Sequence, residues 1–246
     1  MKKYRPFLGR LVLSLMLAVM AWVEPAAASP AETFRQANEA YAQGRWDAAA
    51  AGYRAVVESG VADSSVWYDL GNAYAQMDDL GRARACYERA LELRPRDADT
   101  RANLAVLRQR LTEKEPDDDP VTALAHTFTH NELAVATSAV WFATAIAAAM
   151  WLRRRREALA WAAILSASVL LALGGLYAAA AMHAPQAVVV PGEVQLFNGP
   201  GRDYTASISL HAGARVDVLR SEGDWREVAA MRHVKGWVRA EQLETL

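Results

Sequence analysis

The strongest constraint on this fold is a helical pattern that occurs twice in succession along the chain. Within residues 64–97, large and small side chains alternate as the close approach of two packed helices requires. The positions that carry this pattern are Trp67, Leu70, Gly71, Tyr74, Ala83, Tyr87, Ala90 and Pro95. In the copy before it, Phe34 and Ala37 stand where the second copy has Tyr68 and Gly71. A helical hairpin of this kind leaves an apolar face that a neighbouring hairpin must bury, so the pattern predicts a stack of hairpins.

The pattern resembles that of the tetratricopeptide (TPR) repeat family. We assign the first repeat to residues 30–63 and the second to residues 64–97. A further helical pattern over 98–115 predicts a lone capping helix, because Pro116 and the acidic run behind it end the periodicity. The resemblance implies α-hairpin repeats and a groove, lined by the first helix of each repeat, that binds a segment of another protein.

Polar and aromatic side chains on the first helices are the candidate protein-binding residues of this groove. They are Asn38, Tyr41, Tyr68, Asn72 and Gln76. TPR domains that clamp a C-terminal carboxylate use Lys, Asn and Arg at set groove positions. This chain keeps Asn38 but places Phe34, Asp69, Asp99 and Asn103 at the others. We therefore expect no carboxylate clamp, and a basic or neutral segment suits the groove better.

The first segment of the chain, 1–28, has the features of an export signal. A basic start is followed by a mostly apolar stretch and by small residues at 26–28. This order predicts a removable signal peptide over 1–28, with an uncleaved anchor helix as the alternative. The repeats are then expected outside the cytoplasm.

Two uncharged stretches are long enough to cross a bilayer. Residues 133–152 and 158–182 predict transmembrane helices, because about 20 helical residues span a hydrocarbon core of roughly 30 Å. An acidic linker and interfacial segment over 116–132 precedes them. The loop at 153–157 begins with four arginines and is flanked by Trp151 and Trp161, so the positive-inside rule places it in the cytoplasm. Both large soluble parts then share the export side.

Short β-type runs separated by turns occupy the C-terminal part of the chain, from position 187 onward. The ordered motifs Asn-Gly-Pro-Gly at 198–201, Gly-Asp-Trp at 223–225 and Gly-Trp-Val at 236–238 resemble the bacterial SH3 (SH3b) family. We assign a small SH3-like β-barrel to 187–246. Tyr204 and Trp225 are candidates for a peptide cleft, since aromatic side chains give large, rigid contact areas. Residues 231–233 depart from the Asp-Gly turn usual in the family.

Composition and motifs disfavour several other function classes. Residues 29–131 carry 12 Lys and Arg against 17 Asp and Glu, so nucleic acid is not an expected partner. His126 and His130 lie four residues apart, but Thr127 stands where a metalloprotease needs its Glu and no third ligand is evident. The sole cysteine, Cys86, is expected to be a small buried residue. We predict no catalytic residues, no metal, no cofactor and no enzymatic activity.

The order of segments resembles the E-type protein (BatE-like) of the Bacteroides aerotolerance operon family. That resemblance implies an inner-membrane scaffold with periplasmic TPR and SH3b domains, working in oxygen tolerance or envelope stress. Its implied partners are membrane proteins with von Willebrand factor type A domains and a MoxR-type AAA+ ATPase. The alternative function is a membrane-anchored module in which the SH3b domain binds peptidoglycan peptides. Membrane lipid is a partner under both interpretations.

Overall fold

The computed structural model describes residues 29–111, 124, 127–181, 185–230 and 234–246. The predicted signal peptide, most of the acidic linker, His126 and the unusual loop at 231–233 lie outside the described residues. The fold class expected from the sequence is confirmed: helical repeats are followed by two apolar helices and a C-terminal antiparallel sheet.

The helices before the acidic linker form one body, here called the helical unit. Their bounds are α1 Pro30–Ala42, α2 Trp46–Glu58, α3 Ser64–Gln76, α4 Leu80–Leu93 and α5 Ala98–Arg110. Ser29, Asp63 and Asp97 are the N-caps of α1, α3 and α5, and each side chain accepts a hydrogen bond from a backbone N–H in the first turn. Each cap lies one repeat length after the previous one, so the repeat extends to the start signals of the helices.

The turn inside each hairpin follows the same period. Gly44 and Asp78 have φ angles of 71° and 60°, in the left-handed region that permits a tight reversal. The close helix contact also recurs, with the glycine on opposite partners. A Cβ on Gly52 would lie 2.8 Å from Cβ of Ala37, and one on Gly71 would lie 3.3 Å from Cβ of Cys86. In each hairpin, one helix has a glycine at the contact, and the missing side chain lets the two backbones approach closely.

Two long helices follow, α6 His130–Arg154 and α7 Glu157–Ala181, which pack against each other. Both are long and apolar enough to cross a membrane, and almost none of their apolar residues are buried. Helix α6 begins three residues before the predicted span because Thr129 and Glu132 form a capping box. Arg96 of the helical unit forms an ion pair with Glu132, which brings the repeats close to the start of α6.

The C-terminal strands form a seven-stranded antiparallel sheet, here called the β domain. The strands are β1 Gln186–Val189, β2 Glu193–Phe197, β3 Ala206–His211, β4 Arg215–Glu222, β5 Trp225–Ala230, β6 Val234–Arg239 and β7 Leu243–Thr245. Their order in the sheet is β3-β2-β6-β5-β4-β1-β7. Alternate residues such as Val194 and Leu196 point into an aliphatic core, as the period of two along a strand requires.

The β domain docks on the outer face of helix α4. Arg84 is only 1% exposed, and its Nη1 donates a hydrogen bond of 2.6 Å to the carbonyl oxygen of Gly213. Its Nε donates to Glu88 Oε1 at 2.8 Å. Arg89 donates from Nε and Nη2 to the carbonyl oxygen of Thr245, at 3.0 and 2.5 Å. These contacts link parts of the chain that are far apart in sequence.

Backbone packing makes this contact close. A Cβ built on Gly81 would come within 2.7 Å of the carbonyl oxygens of both Val189 and Val190. Leu111, just after α5, fills the space beside Gly213 in the same way. The helical unit and the β domain are therefore joined by a fitted interface, which the repeat pattern does not predict.

Candidate functional site

The first helices α1, α3 and α5 lie side by side and form the surface that we call the first-helix groove. The side chain of Tyr41 of α1 lies beside that of Gln76 of α3. Asn103 of α5 donates from Nδ2 to the Tyr68 hydroxyl at 3.2 Å and to Asn72 Oδ1 at 2.9 Å. The structure thus brings four of the five predicted groove residues into direct side-chain contacts between adjacent first helices.

Asn38 and Asn72 occupy equivalent places in the two hairpins. The hydroxyl of Tyr53 donates to Asn38 Oδ1 at 2.8 Å, and the hydroxyl of Tyr87 donates to Asn72 Oδ1 at 2.8 Å. Each asparagine oxygen therefore satisfies a tyrosine whose ring is buried in the hairpin core. These asparagines support the groove wall, and it is their amide NH₂ groups that could donate to a bound segment.

Asp69 of α3 lies in the same groove, although the sequence pattern did not place it among the binding residues. Its carboxylate interacts electrostatically with the hydroxyls of Tyr41 and Tyr53, which places it between the two repeats. Burial raises the pKa of the Asp69 carboxyl to about 6. The sequence signal that was available is helical spacing, because positions 69, 72 and 76 share one helix face.

The groove carries the opposite charge from a carboxylate clamp. Acids occupy positions 69 and 99, and the amide of Asn103 is already bonded to α3. Phe34 packs against the Tyr53 ring, with centroids 5.7 Å apart. Acids and a phenyl ring therefore stand at these positions, so the groove is unsuited to a carboxylate ligand.

The predicted cleft residues of the β domain lie in different places: Tyr204 is in the loop between β2 and β3, and Trp225 is the first residue of β5. Tyr204 is 51% exposed and its ring covers Gly199, where a Cβ would lie 2.5 Å from the ring. Trp225 makes an edge contact with Phe197, with centroids 5.7 Å apart, and Arg239 lies over its other side at 5.7 Å. Tyr204 and Trp225 are not a contacting pair among the described ring contacts. Phe197, the last residue of β2, contacts Trp225 and lies two residues before Gly199, which the Tyr204 ring covers.

A separate cleft of about 330 Å³ lies between the apolar helices. Its lining residues are Ala134, Thr137, Ser138, Trp141, Phe142 and Tyr177. Thr137 Oγ1 is buried there without a hydrogen-bond partner in the described part of the chain. The lining is mostly apolar, so the cleft offers little to orient a polar substrate.

Metal-binding and thiol side chains were candidate reactive groups of this chain. Across these ranges, no three His, Cys, Asp or Glu side chains cluster as a metal site requires. Cys86 is buried, and burial raises the pKa of its thiol far above the usual value. A thiol held in its protonated form is a poor nucleophile, so Cys86 acts as a core residue.

Comparison with known protein families supports two of these units. Residues 64–97 match the tetratricopeptide repeat model, and residues 190–244 match the bacterial SH3 domain model. No curated protein matches the chain. The chain therefore contains a TPR repeat and a bacterial SH3 domain, two domain types that point to protein–protein or peptidoglycan interactions. SH3b domains are typically extracytoplasmic.

Proposed function

We propose that this protein is a non-enzymatic scaffold of the inner membrane that binds a partner protein in its first-helix groove. The observation that carries this proposal is the docking of the β domain on α4. That contact covers the outer face of α4, whereas groove residues such as Asn38 and Gln76 stay exposed. The groove therefore stays open to a partner.

The docked interface also supports a two-pass topology. Arg84 and Gly213 can form their hydrogen bond only if the helical unit and the β domain lie on the same side of the membrane. The two apolar helices lie between them in sequence, and two crossings return the chain to the side where it began. The arginines at 153–156 then sit in the cytoplasm, as the positive-inside rule expects.

Binding in a groove this short should be modest. Two hairpins and a capping helix make a short groove, and a standard specific interface needs roughly 800 Å² per partner. Fixing the groove at the membrane surface raises the local concentration of a partner in the same membrane. Scaffolding by membrane co-localisation is the mode of action that fits these dimensions.

At a finer level, the proposal follows the resemblance to the E-type aerotolerance protein. It places the helical unit and the β domain in the periplasm. The proposed partners are membrane proteins with von Willebrand factor type A domains, acting with a MoxR-type AAA+ ATPase in oxygen tolerance or envelope stress. The acidic character of the groove residues at 69 and 99 suits a basic or neutral segment of such a partner.

Peptidoglycan binding by the β domain is the second candidate. The half-exposed Tyr204 and the match to the bacterial SH3 domain favour it. Docking on α4 holds the β domain beside the repeats and close to the membrane, which limits its reach toward a distant wall. Scaffolding is therefore the primary proposal.

A photo-crosslinking experiment tests the scaffold. A photoreactive phenylalanine derivative replaces Gln76 in the groove, and in a control protein it replaces Asp47, which is exposed on the second helix α2. After irradiation in intact cells, purification and mass spectrometry should find a membrane-associated protein partner at position 76 that is absent at position 47. Equal capture at both positions, or none at position 76, would contradict the proposal.

The second candidate is tested on purified sacculi. The full-length protein is sedimented with sacculi. If this binding is lost in Tyr204→Ala and kept in Gln76→Ala, the β domain and not the groove carries the function.

A further inference from the structure

Asp69 is a half-buried acid whose carboxylate has no partner in the described part of the chain. It is half-buried on α3, beside the tyrosine hydroxyls at positions 41 and 53. No hydrogen bond or ion pair reaches its carboxylate from the residues that the structure describes. Burying a charged group without a partner costs free energy, so such a residue points to a function outside the free fold.

Other described acids of the helical unit make the contrast clear. Asp63, Asp79 and Asp97 cap helices by accepting backbone N–H bonds. Glu32, Glu39, Asp78 and Glu88 form ion pairs with arginines. Asp47, Glu58 and Asp99 are exposed to solvent. Asp69 is different because it is half-buried and yet, among the described residues, neither caps a helix nor forms an ion pair.

The surroundings of Asp69 suit a cationic group. The side chains of Tyr41 and Tyr68 are partly exposed in the groove, and their hydroxyl oxygens can accept hydrogen bonds. The ring of Tyr41 packs against Trp46 and the Tyr68 hydroxyl accepts a hydrogen bond from Asn103, so both side chains are held in place before a ligand arrives. A preformed site loses less conformational entropy on binding.

The alternatives fit this site less well. An anion would be repelled, because the carboxyl with a pKa of about 6 is largely ionised at neutral pH. A divalent metal requires several oxygen ligands, and the described residues bring no second or third acid to Asp69. A single positive charge on a flexible stem, with donors that match one carboxylate, satisfies what the site offers.

We infer that Asp69, with the Tyr41 hydroxyl near it, forms a cation-recognition site in the first-helix groove, and that its occupant is a lysine or arginine side chain of an extended segment of the partner protein. This inference rests on the proposed function, since it names the chemistry of the segment that enters the groove. The segment lies across the first helices, and its basic side chain inserts between the repeats at Asp69. Asn38 and Asn72 donate from their amides to the backbone of the same segment.

A peptide selection measures this preference without knowledge of the natural partner. Full-length protein in nanodiscs of zwitterionic lipid is panned against a random heptapeptide display library, and binders to empty nanodiscs are removed first. Three proteins are compared: wild type, Asp69→Asn and the control Asp47→Asn. Asp47→Asn removes the same charge from the exposed second helix, so it reports any nonspecific effect of net charge.

Wild type and Asp47→Asn are expected to select peptides with Lys or Arg enriched at one position. Asp69→Asn should lose this enrichment, and a selected peptide should bind it about tenfold more weakly, as expected for removal of one charge-assisted contact. Asp69→Lys should reverse the preference toward Asp and Glu. Gln76→Ala should weaken binding of the selected peptides while leaving their basic preference intact.

The possible failures are distinguishable. Peptides that depend on Gln76 but show no basic preference would overturn the cation site and leave the groove function standing. A basic preference that survives in Asp69→Asn would overturn the assignment to Asp69. If no peptide binds the wild-type groove, both the proposed function and this inference are contradicted.

Discussion

Buried charges on the two faces of the helical unit differ in whether they have a partner. On the second-helix face, Arg84 is fully buried and bonded to both Glu88 and the carbonyl oxygen of Gly213. In the first-helix groove, Asp69 is half-buried with no partner in the described part of the chain. On the α4 face the buried charges are paired within the chain, although Glu88 Oε2 has no hydrogen-bond partner among the described residues. In the groove, the half-buried charge is unpaired, which is the arrangement expected of a surface that binds a partner.

The α4 face contains buried ion pairs and hydrogen bonds, so removing one partner there should lower the free energy of unfolding strongly. Glu88 is 8% exposed, and one of its oxygens accepts from Arg84 while Arg108 lies 3.6 Å away. Breaking a buried ion pair leaves an uncompensated charge, which costs far more than the pair itself contributes. Changes on this face should therefore have the largest effects on stability.

Arg84→Met gives the largest expected change. The substitution keeps an apolar stem but leaves Glu88 without its closest cation and the carbonyl of Gly213 without a donor. We expect the free energy of unfolding to fall by about 3 kcal/mol. Arg35→Met, which removes an exposed pair on α1, serves as the control and should cause no measurable change. Unfolding of the full chain in nanodiscs, followed by tryptophan fluorescence, measures both; equal losses would contradict a fitted interface.

Gly81→Ala tests the backbone contact between the two domains. Alanine favours a helix, so the change alone should stabilise α4, but its methyl group would lie 2.7 Å from two carbonyl oxygens of the β domain. We expect a net loss of about 2 kcal/mol from this overpacking. Gly192→Ala is the matched control, because an added Cβ there meets nothing within 4 Å. Hydrogen exchange should accelerate in α4 and β1 for Gly81→Ala alone, and protection equal to wild type would refute the contact.

Asp69→Asn should act in the opposite direction, because it removes a charge that the free fold has partly desolvated. The folded-state pKa of about 6 lies above the unfolded value near 4, so the folded protein binds more protons between these values. The Asp69 contribution therefore favours folding below about pH 4 and is lost as pH rises to about 6. We expect Asp69→Asn to stabilise the protein by about 1 kcal/mol at pH 7, after allowance for partial exposure.

Melting curves at pH 4 and pH 7 measure this effect. The variant should gain stability relative to wild type at pH 7 and much less at pH 4. A variant that is destabilised at pH 7 would mean that Asp69 has a structural partner.

Cys86 gives the smallest expected effect and reports on the inner side of α4. Its Cβ lies beside Gly71 of α3, and burial raises the pKa of its thiol. We expect a maleimide to leave Cys86 unmodified in the native protein, whereas an exposed thiol in Ser59→Cys reacts at once. Rapid modification of Cys86 in the native protein would show that α4 is not packed on both sides.

The repeat could be predicted from the sequence because its signals are local and periodic. The caps at Ser29, Asp63 and Asp97 and the turns at Gly44 and Asp78 recur once in each repeat length. Core positions such as Tyr74 and Tyr87 also lie where the pattern placed them. Periodicity carries this information because each hairpin meets the same neighbour in the same way.

The docking and the Asp69 site could not be predicted in the same way. Arg84 on a helix surface resembles a solvated residue until a β domain that is distant in sequence covers it. The sequence pattern places Asp69 in the groove, but it does not show that the side chain is half-buried or that it interacts with Tyr41 and Tyr53 of the preceding repeat. Both features depend on contacts between units, which hydropathy patterns within one unit do not encode.

The central claim is that the β domain sits on α4 as part of one unit, and a crosslink from α4 tests it most directly. Arg89 contacts the carbonyl oxygen of Thr245, so a photoreactive phenylalanine derivative at position 89 faces strand β7. After irradiation of the full chain in its native membrane, digestion and mass spectrometry should find position 89 joined to the peptide that contains residues 243–246. Crosslinks to other proteins, without any link to the β domain, would contradict the account.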